Sequence, residues 1–84
     1  MTPAQRIEKI GRALHGARWI NLLAVDLGIN PATIRRWISG HTPLPENHGV
    51  FPDAANVIER RIELLTKAAA LTSQSHTSRP AIDE

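Results

Sequence analysis

The 84-residue chain contains no cysteine. It therefore has neither a disulfide framework nor a thiolate metal site, which fits a reducing compartment. No stretch approaches the ~18 consecutive apolar residues of a membrane span, and the N-terminus lacks the apolar core of a signal peptide. The expectation is a soluble protein of the cytoplasm with no membrane contact. Catalytic patterns are missing too. There is no serine–histidine–acid set, no phosphate-binding glycine loop and no pair of carboxylates placed for acid–base work, so the chain does not read as an enzyme. His41 and His48 are seven positions apart across a proline-containing loop, a spacing that matches no metal-ligand pattern. Neither metal nor cofactor is expected. Internal repeats are also lacking. A chain of this length makes one domain and buries roughly 60% of its unfolded surface, too little to enclose a large ligand pocket.

Charge is scarce overall but unevenly placed. The net charge is +2; residues 1–45 hold six Lys/Arg against Glu8 and Asp26, a net of +4, whereas residues 46–84 hold four against six acids, a net of −2. A locally positive surface is what contact with phosphate requires.

The positive half contains the stretch around which the chain is organised, Ile20 to Gly40, INLLAVDLGINPATIRRWISG. It reads as two short helices pinched around one turn. Leu23, Ala24, Leu27, Ile29, Ile34 and Trp37 fall where two crossing helices need apolar contacts. Gly28 falls where the chain reverses, because glycine enters the left-handed conformation without steric cost. Asn30 is a strong N-cap acceptor for the second helix, and Pro31 suits its first position. The pattern is a helix-turn-helix. It resembles the DNA-binding unit of Cro and phage-repressor type bacterial regulators over about a quarter of the chain. TIRRWISGHTPLP is also similar to the way such regulators leave their recognition helix. Members of that family often carry glutamine at the start of the first motif helix, bracing a phosphate and a recognition side chain. Here that place is Ile20, and the phosphate contact passes to Asn21 or Arg18.

Along the chain, Thr2-Pro3-Ala4-Gln5 forms a capping box that starts the first helix. Ile7, Ile10 and Leu14 give it one apolar stripe, and Gly16 ends it with His15 at the negative dipole end. The next helix, about Arg18 to Leu27, buries Ile20, Leu23, Ala24 and Leu27. Leu22 and Val25 lie away from that stripe and must meet either the later long helix or a second chain. Trp19 is expected as a lid over the edge of the core.

The recognition helix, about Pro31 to Ser39, is expected to turn Ile34, Trp37 and Ile38 inward. Its opposite face then carries Ala32, Arg36 and Ser39, flanked by Arg35 and Thr33. Small residues at its leading end let the backbone approach the major groove, and an arginine fork one turn later reaches guanine O6 and N7 together. Arg36 is thus the expected base reader. Arg35, nearer the edge of that face, suits phosphate, while Thr33 and Ser39 suit either. Gly40 to Asn47 is a proline-bounded connector in which His41 and Thr42 are either the expected phosphate contacts or plainly exposed to solvent.

A long helix is expected from about Pro52 to Leu71, with Asp53 at its start and Glu63 paired with Lys67. Ala54, Ile58, Ile62, Leu65 and Ala69 form one stripe that closes the motif. Val57, Leu64 and Leu71 form a second at seven-residue spacing, which either widens the face that covers a small bundle or, as expected here, pairs with its two-fold mate in a homodimer. Residues 72–84 are polar and aperiodic and read as a disordered tail. The expectation is an all-α, four- to five-helix bundle over residues 1–71 that binds an operator in double-stranded DNA as a small transcriptional regulator, a repressor of a bacterium, phage or mobile element. With no room for an effector domain, control would rest on protein concentration and promoter overlap. The alternative is a protein-interaction module, an inhibitor or antiactivator on the same scaffold, which would more often show apolar or acidic residues at positions 35 and 36.

Overall fold

A computed structural model describes residues 1–77, with side chains through Thr72. Every element among these residues is helical: α1 (Pro3–His15), a single 3-10 turn (Gly16–Arg18), α2 (Trp19–Leu27), α3 (Pro31–Ser39) and α4 (Val50–Thr77). No helix among the described residues is long and apolar enough to cross a membrane.

The local signals act as their chemistry requires. The Gln5 amide N–H donates to Thr2 Oγ1 at 3.1 Å and the Thr2 N–H donates back to Gln5 Oε1 at 2.9 Å, so two N–H groups at the start of α1 are satisfied reciprocally. Gly16 ends α1 at φ +75°. Gly28 takes the left-handed conformation at φ +69° after α2, and the Ile29 N–H then donates to the Ala24 carbonyl at 3.0 Å. Asn30 Oδ1 accepts the Ala32 N–H at 2.8 Å, which starts α3 at Pro31, three residues after Gly28.

The core lies where α1, α2 and α3 meet the first turns of α4. Ile7, Trp19, Leu23, Ala24, Ile34, Trp37, Leu44 and Val50 are buried there, with Ile10, Leu14, Ile20, Leu27, Ile29 and Phe51 packed around them. Trp19 is a central core side chain rather than a lid. Its ring lies on Gly11 so closely that a Cβ at that position would stand 2.7 Å from Trp19 Cδ2. Gly11→Ala is therefore expected to destabilise the protein by up to about 2 kcal/mol, the roughly 1–3 kcal/mol strain of overpacking less the roughly 1 kcal/mol that alanine gains in helix propensity. A lower urea midpoint at unchanged slope is the expected reading; a higher midpoint would refute the packing.

Leu44 is the main addition to the expected core. It is the only large apolar residue in the Gly40–Asn47 connector, and flanking prolines hold it extended into the cluster. Arg6 stacks its guanidinium 4.2 Å above the Phe51 ring, joining α1 to α4. His15 Nε2 lies 2.6 Å from Asp26 Oδ2 and ties the C-terminal end of α1 to that of α2.

Several expectations are corrected. α4 begins at Val50 rather than Pro52, because His48 Nδ1 accepts the Val50 N–H at 2.9 Å and proline is tolerated within a first turn, where its missing N–H has no helical partner. The helix also outruns Leu71: residues 72–77 are helical, since TSQSHT holds neither glycine nor proline to stop it, while residues 78–84 of the expected tail lie outside the described residues. The stripe meant to close the motif does so only through Ala54 and half-buried Ile58, and Ile62, Leu65 and Ala69 are exposed. Nine residues of helix, Val50 to Ile58, cover ~13 Å, and beyond them a helix of 28 residues runs on along the 60 Å long axis of the molecule. Leu22 and Val25 find no cover from α4; they are 46% and 78% exposed. Glu63 and Lys67 form no ion pair among the described residues, where the i, i+4 pair that does form is Glu8–Arg12 at 2.9 Å.

Candidate nucleic-acid interface

Ile34 and Trp37 fasten α3 to the core, and this anchoring decides which side of the helix faces out. Ile38, expected inward, is 37% exposed, so the buried arc is narrower than three residues and centres on the Ile34–Trp37 edge. At about 100° per residue, Ala32 and Ser39 then lie opposite that edge. Arg35 and Arg36 stand roughly 50° to either side, both exposed. Arg36 is therefore not alone at the centre of the face with Arg35 at its margin; the two guanidiniums straddle a strip of small residues. Ala32 and Thr33 are half-buried near the leading end of α3, which keeps the backbone there bare of large side chains.

The two arginines differ in what holds them. Arg35 Nη2 donates to Asn21 Oδ1 on α2 at 3.1 Å. One edge of its guanidinium is thus fixed toward the start of α2, and the other nitrogens remain available. Among the described residues Arg36 has no side-chain hydrogen bond or ion pair. Its carbonyl instead organises the helix end, accepting from Ser39 Oγ at 3.2 Å and from the Thr42 N–H at 3.2 Å. Ser39 Oγ also lies 2.9 Å from His41 Nδ1. The loop after α3 is thereby folded back beside the helix end, with His41 and Thr42 exposed.

The start of α2 completes the surface. Arg18 occupies the N-cap position and offers no side-chain cap, so the first N–H groups of α2 lack a side-chain acceptor. Ala17, Arg18, Ile20 and Asn21 line a shallow open hollow at this end. A positive helix terminus with an adjacent arginine and a polar amide has the chemistry of an anion contact. The expected residues thus fall into two linked groups: Arg18, Asn21 and Arg35, joined through the Asn21–Arg35 hydrogen bond, and Arg36, Ser39, His41 and Thr42 around the end of α3. Sequence reasoning assigned Asn21 to phosphate and missed that it grips Arg35. The two positions are 14 residues apart on different helices, and no periodicity connects them. Among the described residues no cluster of three or more His, Asp or Glu side chains is placed to hold a metal ion.

No family model, no curated protein and no solved structure matches the chain.

Proposed function

We propose that the protein binds double-stranded DNA as a small transcriptional regulator, a repressor of Cro and phage-repressor type in a bacterial, phage or mobile-element setting. α2, the turn at Gly28–Asn30 and α3 act as a helix-turn-helix within the helical core, with α3 in the major groove. The observation that carries this reading is the exposed face of α3, where Arg35 and Arg36 flank Ala32 and Ser39 next to an uncapped α2 terminus. Arg36, whose side chain has no partner among the described residues, reaches a base edge. Arg18 and the α2 N–H groups hold phosphate, and Asn21 orients Arg35 between the two. Thr33, Ser39, His41 and Thr42 add contacts to base or backbone. A homodimer through Val57, Leu64 and Leu71 presents two such faces to two half-sites, because one short helix reads too few base pairs to single out a promoter.

The test is footprinting on DNA flanking the protein's own gene, followed by titration of the protected duplex and a scrambled one at several salt concentrations. Preference for the protected duplex with a negative log–log salt slope supports the reading. Equal affinity for all duplexes overturns it in favour of the protein-interaction module. Within the interface, Asn21→Ala is expected to weaken the preferred duplex by about 0.5–1.5 kcal/mol per subunit, because Arg35 loses its orientation while keeping its charge. Adding Arg35→Ala to Asn21→Ala should then cost less than Arg35→Ala alone. Strict additivity in that double-mutant cycle would remove Asn21 from this role.

A further inference from the structure

The outer half of α4 is at odds with a monomer. From Glu59 to Thr72 every residue is exposed, yet Ile62, Leu64, Leu65 and Leu71 lie in this segment, each more than half exposed. Leu64 and Leu71 share one side of this helix with Val57, whereas Ile62 lies about 160° away from Leu64, and a helical segment whose apolar side is left bare is marginal in water at this length. At the inner end of the same segment, Val57, Arg60, Arg61 and Leu64 form one wall of an open groove, and Val25 and Asp26 of α2 form the other. Exposed Leu22 stands one helical turn before Val25.

We propose that the groove between α2 and α4 receives the outer half of α4 from a second copy of this chain, in an antiparallel pair whose two-fold axis passes at Leu64. This deepens the homodimer of the proposed function by naming its surface and register, and it rests on that reading only for its purpose. The spacing selects the occupant. Val57 and Leu71 lie seven residues before and after Leu64, about 10 Å along the helix each way, and a drift of only ~20° per heptad keeps all three on one face. A rotation about Leu64 sets Leu71 of the second copy against Val57 and Val25, fills both grooves at once and makes the patch complementary to itself, as a two-fold interface must be. The surface is modest. About ten residues on each side, drawn from one face of α4 between Val57 and Leu71 and from Leu22, Val25 and Asp26, bury roughly 600–800 Å² in total at the roughly 30–40 Å² per residue of standard interfaces, the size of a weak association and in keeping with a dimer at micromolar concentration. The same rotation brings Arg61 near Lys67 of the second copy. Both are long rim side chains whose charged ends reach solvent, and Asp26 in the groove wall supplies a counter-charge.

Because the chain has no cysteine, single-cysteine variants of the full chain report the register directly. Under mild oxidation L64C is expected to cross-link to itself, whereas V57C and L71C cross-link chiefly when mixed with each other. Sedimentation equilibrium without DNA should give a dimer at micromolar concentration. Leu64→Asp should raise the dissociation constant at least tenfold without changing the helical signal, since Leu64 is exposed in the protomer. A monomer at these concentrations overturns the proposal. So does self-linking of V57C and L71C with no excess on mixing, which would mean parallel helices. A dimer of the expected register that prefers no duplex leaves the interface standing and removes the DNA reading. A monomer that prefers its own upstream duplex does the reverse.

Discussion

Replacing Trp37 with alanine is expected to lower the stability of the domain by about 3–5 kcal/mol, the range for truncating a buried tryptophan. Trp37 is 5% exposed and joins α3 to the core. It also supports the start of α4, because the His48 ring packs edge-on against the indole at 5.3 Å between centroids while its Nδ1 accepts the Val50 N–H. Truncation therefore opens a cavity and loosens the side chain that caps α4. Small domains have total stabilities near 5 kcal/mol upward, and each kcal/mol shifts the midpoint of a chain this size by about 4–8 °C. A fall of roughly 12–40 °C in Tm by circular dichroism is the expected result. Trp19, buried and unaltered, remains as the sole tryptophan fluorophore to follow the same transition. Trp37→Phe, which keeps an aromatic edge for His48, should lose much less. If the alanine variant melts within two degrees of the parent, Trp37 does not anchor α3, and the outward face that presents Arg35 and Arg36 loses its basis.

How much of this architecture could be read beforehand depended on the range of the interaction concerned. Thr2, Gly16, Gly28, Asn30 and Gly40 act on groups within a few residues, so their type and position were enough to place the ends of α1, α2 and α3. Ile7, Leu23, Ile34 and Trp37 were legible as core because helical period marks one side of a short helix. The same period could not tell how far along α4 the body of the protein extends, so Ile62, Leu65 and Ala69 looked like core and are exposed. Ile38 failed for a related reason: it lies one residue from Trp37 at the edge of the buried arc, where the width of the contact decides its fate. Leu44 was hidden by its prolines, which mark a connector but also hold an apolar residue extended toward the core. Of the interface, residue types on α3 were legible, and the pairs that orient them were not. Asn21–Arg35, Ser39–His41 and Thr42 with the Arg36 carbonyl arise from how α2, α3 and the loop meet.

Arg36→Ala and Arg18→Ala are expected to separate base reading from attraction to the backbone. Arg36 is exposed and its side chain has no partner among the described residues, so a guanine edge can take both nitrogens of its fork without breaking an existing bond. Its loss should cost about 1–3 kcal/mol per half-site and 2–6 kcal/mol where two copies are bound, roughly 30- to 20,000-fold in affinity for the preferred duplex. Scrambled DNA should lose far less, and preference should relax at one base pair of each half-site. Arg18 stands at the start of α2, which no side chain caps and where the helix dipole already favours an anion. Its loss should weaken all duplexes alike and reduce the magnitude of the salt slope by about 0.9 for each phosphate contact removed, close to two for a dimer. Titrations of both variants against preferred and scrambled duplexes at two salt concentrations make the comparison. If Arg36→Ala weakens both duplexes equally and reduces the slope as Arg18→Ala does, Arg36 is a phosphate contact. Base reading then passes to Arg35, whose guanidinium Asn21 already holds in one orientation, or to Thr33 and Ser39 on the same face.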